Sequence, residues 1–234
     1  AFIAEGHKNI FTMTNYDSAF AENARVLYPP EAIKNTLGEI IATAGKSQFR
    51  IAETEKYPHV TFFFNGGAET PFRGEDRKII PSPKVRTYDL QPEMSLTEVS
   101  DALFAAIKSG HYDMIICNIA NGDMVGHSGD LNAAIKAMEA VDEFLGGLEV
   151  ATKENGGHLL LTADHGNCER MTDDHGAKVT SHSTFPVPLF YIGNKKDIKL
   201  KNGVLADIAP TMLSLMALDI PAEMTGQNLI ESST

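Results

Sequence analysis

Tryptophan is absent from the 234 residues, and cysteine occurs only at Cys117, inside an apolar run, and at Cys168, in a polar loop. Two cysteines in such different settings support neither a disulfide framework nor a thiolate zinc site. No apolar run approaches the ~20 residues of a membrane-spanning helix. The opening "AFIAEGHKN" lacks the basic region and apolar stretch of a secretion signal. Positive charge is scarce: 20 Lys and Arg stand against 31 Asp and Glu, a formal charge of −11. That balance repels the phosphates of nucleic acid, and a short basic cluster such as "NKKDIKLK" does not reverse it. A soluble, cytoplasmic protein with no membrane and no nucleic-acid partner is the expectation, with a small molecule as its ligand. An initiating methionine is also missing, since the sequence opens at Ala1 and soon enters "NIFTMT". A piece of a longer chain is therefore expected.

What is present is enough apolar content, 43%, to bury a sizeable core. Short, β-branched apolar segments predict strands over Asn9–Thr14, Gln48–Ala52, Met114–Ile119, His158–Thr162 and Val187–Ile192. Between them the 3.6-residue period predicts helices over Ala32–Ala44, Leu96–Ser109, Leu131–Asn155 and Val204–Leu218. Gly110 supplies a stop, and "SLTE" a start resembling a capping box. Gly146-Gly147 is expected to loosen the third helix, and Pro210 to bend or begin the fourth. Gly66–Met94, punctuated by Pro and Gly, reads as an anchored excursion or lid. Alternating strands and helices imply an α/β fold, a largely parallel sheet with helices on both faces. Ligands of such sheets bind beyond the carboxyl ends of the strands.

Three strand exits carry polar clusters: "AETEK", "GDMVGH" and "ADHGN". They contribute Lys56, Asp123, His127, Asp164 and His165, and "TSHSTFPVP" adds His182. Mixed carboxylate and imidazole donors suit Mn²⁺ or Zn²⁺ better than Mg²⁺ or Ca²⁺. Asp123 at a strand exit and His127 one turn later can address a single ion, and adjacent Asp164 and His165 can bind from a tight turn. Alone, "DHG" reads as an ordinary turn and D-x-x-x-H as an acidic helix start; at successive exits of one sheet they reinforce each other. Lys56 on a first turn reads as solvated, or as a holder of phosphate beside metals; Thr54 is placed to cap the helix opening at Glu55. His175 competes with His182, though in a setting typical of surface loops. His7, His59, His111 and His158 have no motif support.

Together "RIAETEKYPHVTFFFNGGAE", "SPKVRTYDLQPEMS", "NGDMVGHSGD", "TADHGNCERM" and "SHSTFPVPL" closely resemble the cofactor-independent phosphoglycerate mutases, two-metal enzymes of the alkaline phosphatase superfamily. The similarity runs from "FTMTNYD" to "TGQNLI". The resemblance implies an alkaline phosphatase-like α/β/α sandwich and two divalent cations, manganese ahead of zinc. It makes Asp123, His127 and His182 ligands of one cation, Asp164 and His165 ligands of the other, and Lys56 a phosphate contact. Phe185 departs from the family pattern without touching a proposed ligand. The implied substrate is a small phosphorylated three-carbon acid, interconverted between 3- and 2-phosphoglycerate by a complete enzyme that is monomeric. Residues 1–234 then form an incomplete phosphatase-type domain. Its first strand, with the nucleophilic serine, and an inserted transferase domain are expected elsewhere; neither Ser128 nor Ser183 stands in a nucleophile's setting. Another two-metal phosphomutase or phosphatase, and a non-catalytic metal-binding module, are the competing expectations.

Overall fold

The computed structural model describes residues 10–14, 24–28, 33–195 and 198–231. Residues Ala1–Ile33 and Lys34–Thr234 form separate compact units. In the first, β1 (Ile10–Thr12) pairs in parallel with β2 (Ala24–Val26); β1 lies inside the predicted first strand, while β2, at three residues, is too short for alternation to announce it.

The second unit is built on β3 (Gln48–Glu53), every residue of which is buried. It runs parallel to β4 (Glu75–Ile80) on one side and β5 (Met114–Asn118) on the other. Strands β6 (His158–Thr162) and β7 (Leu189–Gly193) form an antiparallel pair. A parallel sheet is present as expected, but β6, whose exit leads to Asp164 and His165, pairs with β7 outside it rather than within one common sheet; β4, moreover, lies inside the stretch read as an excursion. Its sequence "EDRKII" carries four charges at a sheet edge, so the apolar alternation that signals a strand is lost there.

The two faces of β3 differ. Phe49 and Ile51 meet Val99 and Leu103 of α3 (Leu96–Ser109) and Phe144 and Leu148 of α5 (Leu131–Glu154). On the opposite face, Leu37 and Ile41 of α1 (Leu37–Thr43) join Met114 and Leu213 of α6 (Ile208–Leu215). Period-two alternation in the strand thus puts helices on both faces. Arg50 points away from the Phe49 face and is fully buried, its guanidinium 4.3 Å from the Phe64 ring and its Nη2 donating to Gln48 Oε1 at 2.6 Å. Burial brings its pKa down to about 10.

The helix ends show where local motifs yield to tertiary contacts. Gly110 closes α3 in the left-handed conformation, φ 60°. Ser95 does not cap it; its hydroxyl donates to Pro81 O at 2.7 Å, and its backbone N–H donates to the buried Glu53 at 3.0 Å. Asp130 caps α5 by accepting from Ala133 N at 2.9 Å. Helix α5 is unbroken at Gly146-Gly147, where Gly147 accommodates Phe104, whose ring lies 3.1 Å from where a β-carbon would stand. Pro210 sits in the first turn of α6, where its missing N–H costs no helical bond.

Asp207 anchors the entrance to α6, accepting from Val204 N at 2.8 Å and Gln227 N at 2.7 Å. Those N–H groups favour its charged form and lower its pKa. The stabilisation is therefore complete above the unfolded carboxylate value of about 3.9 and is lost as pH falls through the lowered folded value. Asp207→Asn is expected to melt below the wild type at pH 7. The gap should narrow as the pH is taken below about 4, a double difference that thermal melts measure and that other carboxylates cancel out of.

Candidate metal centre

The carboxyl ends of β3 and β5 point the same way, because the strands are parallel and in register from Gln48–Met114 to Ala52–Asn118. The chain leaving β3 makes a tight turn over Thr54–Lys56 before α2 (Tyr57–Val60), and the chain leaving β5 enters α4 (Asn121–Gly126). Lys56 and Asp123 thereby meet: the Lys56 ammonium forms an ion pair with Asp123 Oδ2, the two side chains being 7% and 13% exposed. Lys56 is therefore buried rather than solvated. Thr54 does not cap the next helix; its hydroxyl donates to Ile80 O at 3.4 Å and accepts from Ser82 N at 3.2 Å, tying this exit to that of β4.

The other carboxylate oxygen faces histidines. Asp123 Oδ1 lies 3.0 Å from His127 Nε2 and 3.0 Å from His182 Nε2. The two imidazole nitrogens are 3.2 Å apart. His127 Nδ1 donates to Thr180 O at 2.7 Å, which leaves the lone pair on Nε2 directed at Asp123. Asp123, His165 and His182 also each offer a ligand atom within 4.8 Å of the others. The His165 and His182 rings stack at 3.7 Å between centroids, and Asp164 Oδ1 is 3.7 Å from His165 Nε2. All six residues singled out in the sequence thus lie in one connected cluster, whereas His175 stays on an exposed loop.

These donors fit a divalent cation. Lone pairs of one carboxylate oxygen and two imidazoles converge at 3.0–3.2 Å, close to the ~3.4 Å edge of a tetrahedral site with ~2.1 Å bonds. Without a cation or a proton between them they would repel. Burial opposes ionisation of Asp123, but hydrogen bonds from Lys56 and Asn167 outweigh it and bring the carboxyl pKa down to about 2. Asp123 is thus a charged carboxylate throughout the physiological range.

Several neighbours carry no sequence signal of their own. Asn167, 6% exposed, donates through Nδ2 to Asp123 Oδ1 at 2.8 Å and to Asp123 O at 3.2 Å. Glu169 accepts from Asn167 N at 2.7 Å and from the Ser183 hydroxyl. Ser183 N in turn donates to Gly166 O at 2.9 Å, joining the "DHGN" and "SHS" loops. Ser183 is thus a structural link between loops. His59 has its pKa lowered by burial first and then by Lys56; Asp123, Asp164 and His165 act on it from nearby in the opposite or same sense. Burial pushes the Cys168 thiol up to about 11, keeping it out of thiolate chemistry.

Comparison with known proteins identifies similar chains. A 2,3-bisphosphoglycerate-independent phosphoglycerate mutase of Aeromonas salmonicida is 60% identical over 204 residues, 87% of this chain and 40% of that protein. One of Syntrophotalea carbinolica is 54% identical over 223 residues, 94% of this chain and 43% of that protein. A crystal structure of Leishmania mexicana phosphoglycerate mutase at low cobalt concentration superposes with a TM-score of 0.83 at 31% identity, covering 95% of this chain and 44% of that one. The chain accordingly spans about two fifths of the length of these relatives, and its alkaline phosphatase-like α/β fold is shared with the Leishmania enzyme. The pattern that defines the Metalloenzyme superfamily matches residues 5–220: with its oxygen and nitrogen donors gathered at the strand exits, this chain belongs to the Metalloenzyme superfamily.

Proposed function

We propose that this chain is the metal-binding part of a cytoplasmic, glycolytic 2,3-bisphosphoglycerate-independent phosphoglycerate mutase, acting on a small phosphorylated three-carbon acid. The observation that carries the reading is the convergence of Asp123 Oδ1, His127 Nε2 and His182 Nε2, with the Lys56 ammonium on the other oxygen of the same carboxylate. Asp123, His127 and His182 would hold one divalent cation, manganese ahead of zinc. Asp164 and His165 would supply part of a second site. Bound there, such cations would supply charge neutralisation for phosphoryl oxygens and lower the pKa of an attacking hydroxyl.

What the chain's own residues do follows from placement. Lys56, held by Asp123, offers an ammonium to a phosphoryl or leaving oxygen at the rim of the site. Thr180 fixes the His127 ring with Nε2 inward. In the complete reaction the bond between phosphorus and the C3 oxygen breaks as a bond to a serine oxygen forms, the serine proton passing to the C3 oxygen. The bond from phosphorus to the serine oxygen then breaks as the 2-hydroxyl oxygen of the retained glycerate takes the phosphoryl group, its proton returning to the serine oxygen. By family resemblance that serine comes from the portion of the relatives lying outside the matched span. Strand β5 favours a complementary portion, because among the described residues it is paired only with β3 and its other positions are half-buried.

The test is to assay the purified chain with Mn²⁺ for interconversion of 3- and 2-phosphoglycerate, alone and mixed with the complementary portion of the Aeromonas relative. Silence alone and turnover in the mixture are expected. Turnover by the chain alone would overturn the assignment of the nucleophile to the portion outside the matched span. Phosphate release without isomerisation would identify a phosphatase instead. Silence in a mixture shown to form a complex would leave a non-catalytic metal-binding module.

A further inference from the structure

We infer that Asn167 is a positioning residue for the metal centre, setting the orientation of the Asp123 carboxylate, and that Glu169 holds Asn167 in place; this rests on the metal reading above. A carboxylate oxygen has two in-plane lone pairs. On Asp123 Oδ1 one is taken by Asn167 Nδ2 at 2.8 Å, and the remaining one is directed between His127 Nε2 and His182 Nε2, each 3.0 Å away. Lys56 occupies Oδ2. Rotation of the carboxylate about its Cβ–Cγ bond would break both contacts, so the pair fixes which oxygen is offered to a cation.

Asn167 is itself tightly located. Its side chain is buried and its Nδ2 also reaches Asp123 O at 3.2 Å. Its backbone N–H is held by Glu169 Oε2 at 2.7 Å, while Glu169 Oε1 accepts from Ser183, the residue after His182. One exposed carboxylate therefore joins the loop carrying Asp164 and His165 to the loop carrying His182, and through Asn167 both connect to α4, which carries Asp123. Gly126 makes room for this link: a β-carbon there would stand 2.7 Å from Asn167 Cγ.

Calorimetric titration of Mn²⁺ into wild type, Asn167→Ala, Glu169→Gln and Ile51→Ala tests the inference, with the electron paramagnetic resonance spectrum of the bound ion as a second readout. Asn167→Ala is expected to weaken the tighter site by about 10–100-fold, the cost typical of losing an outer-shell partner, with stoichiometry unchanged and an altered spectrum. Glu169→Gln should shift affinity the same way by less. Ile51→Ala, a core lesion outside this network, should leave affinity and spectrum of the folded protein as in the wild type. Wild-type affinity and spectrum in Asn167→Ala would overturn the inference; should that variant not fold, the same result in Glu169→Gln would do so. Failure of the wild type to bind Mn²⁺ would instead overturn the metal reading itself.

Discussion

Asp123→Ala is expected to abolish the tighter Mn²⁺ site and to destabilise even the metal-free protein by about 3 kcal/mol, the lower end of the cost of removing one partner from a buried ion pair. The first effect follows because Asp123 is the shared member of the cluster, touching His127, His182, Lys56 and Asn167. The second follows because Lys56, 7% exposed, loses its partner. Metal titration should show one tight and one weak site in the wild type, and only the weak one, through Asp164 and His165, in the variant. His127→Ala should likewise reduce the stoichiometry while leaving the Lys56–Asp123 pair intact, so its metal-free melting temperature should stay near that of the wild type. Lys56→Met in the Asp123→Ala background should recover part of the lost stability. Unchanged stoichiometry in both single variants would sink the ligand assignment.

The second large effect lies in the core. Ile51→Ala is expected to cost about 2–5 kcal/mol, the range for truncating a fully buried aliphatic side chain in a packed interior. Ile51 is inaccessible to solvent, sits at the centre of the buried β3, and clusters with Phe49 of the same strand and with Val99, Leu103, Phe144 and Leu148 from two helices. Deletion there leaves a cavity that a rigid strand flanked by β4 and β5 cannot collapse to fill. Chemical denaturation should show the midpoint fall with the slope retained. A loss below about 1 kcal/mol, the scale expected at a tolerant site, would mean the sheet relaxes around the gap.

The two effects are separable in kind. Asp123→Ala removes a charge from a polar cluster at the rim and changes metal binding. Ile51→Ala changes only how often the whole unit is folded. No helix among the described residues is long and apolar enough to cross a membrane.

Legibility in the sequence followed periodicity. Helix α3 was readable to the residue and α5 to within one, because long amphipathic faces average out local exceptions. The strand β4 was not, since Arg77 and Lys78 lie on an edge strand whose sides need not be apolar. Capping was read less well. Ser95 and Thr54 have the right chemistry for helix starts, yet tertiary acceptors at Pro81 and Ile80 claim their hydroxyls. Asp130, with no motif to recommend it, performs the role.

For the centre itself, the residue types and their spacing pointed to divalent-cation chemistry before any coordinates, because motifs that are ordinary singly reinforce one another when carboxylate and imidazole donors recur at several strand exits. Sequence alone determined that set of carboxylate and imidazole residues, the alternation of strands and helices, and the family likeness. Tertiary structure decided which oxygen of Asp123 meets the histidines, that Lys56 is buried against it, and that Asn167 and Glu169 brace the loops between. The contacts that bring Lys56 and Asn167 to Asp123, and His182 to His127, join positions 44 to 67 residues apart, and pairing at that range is set by how the chain packs rather than by any pattern a local window can hold.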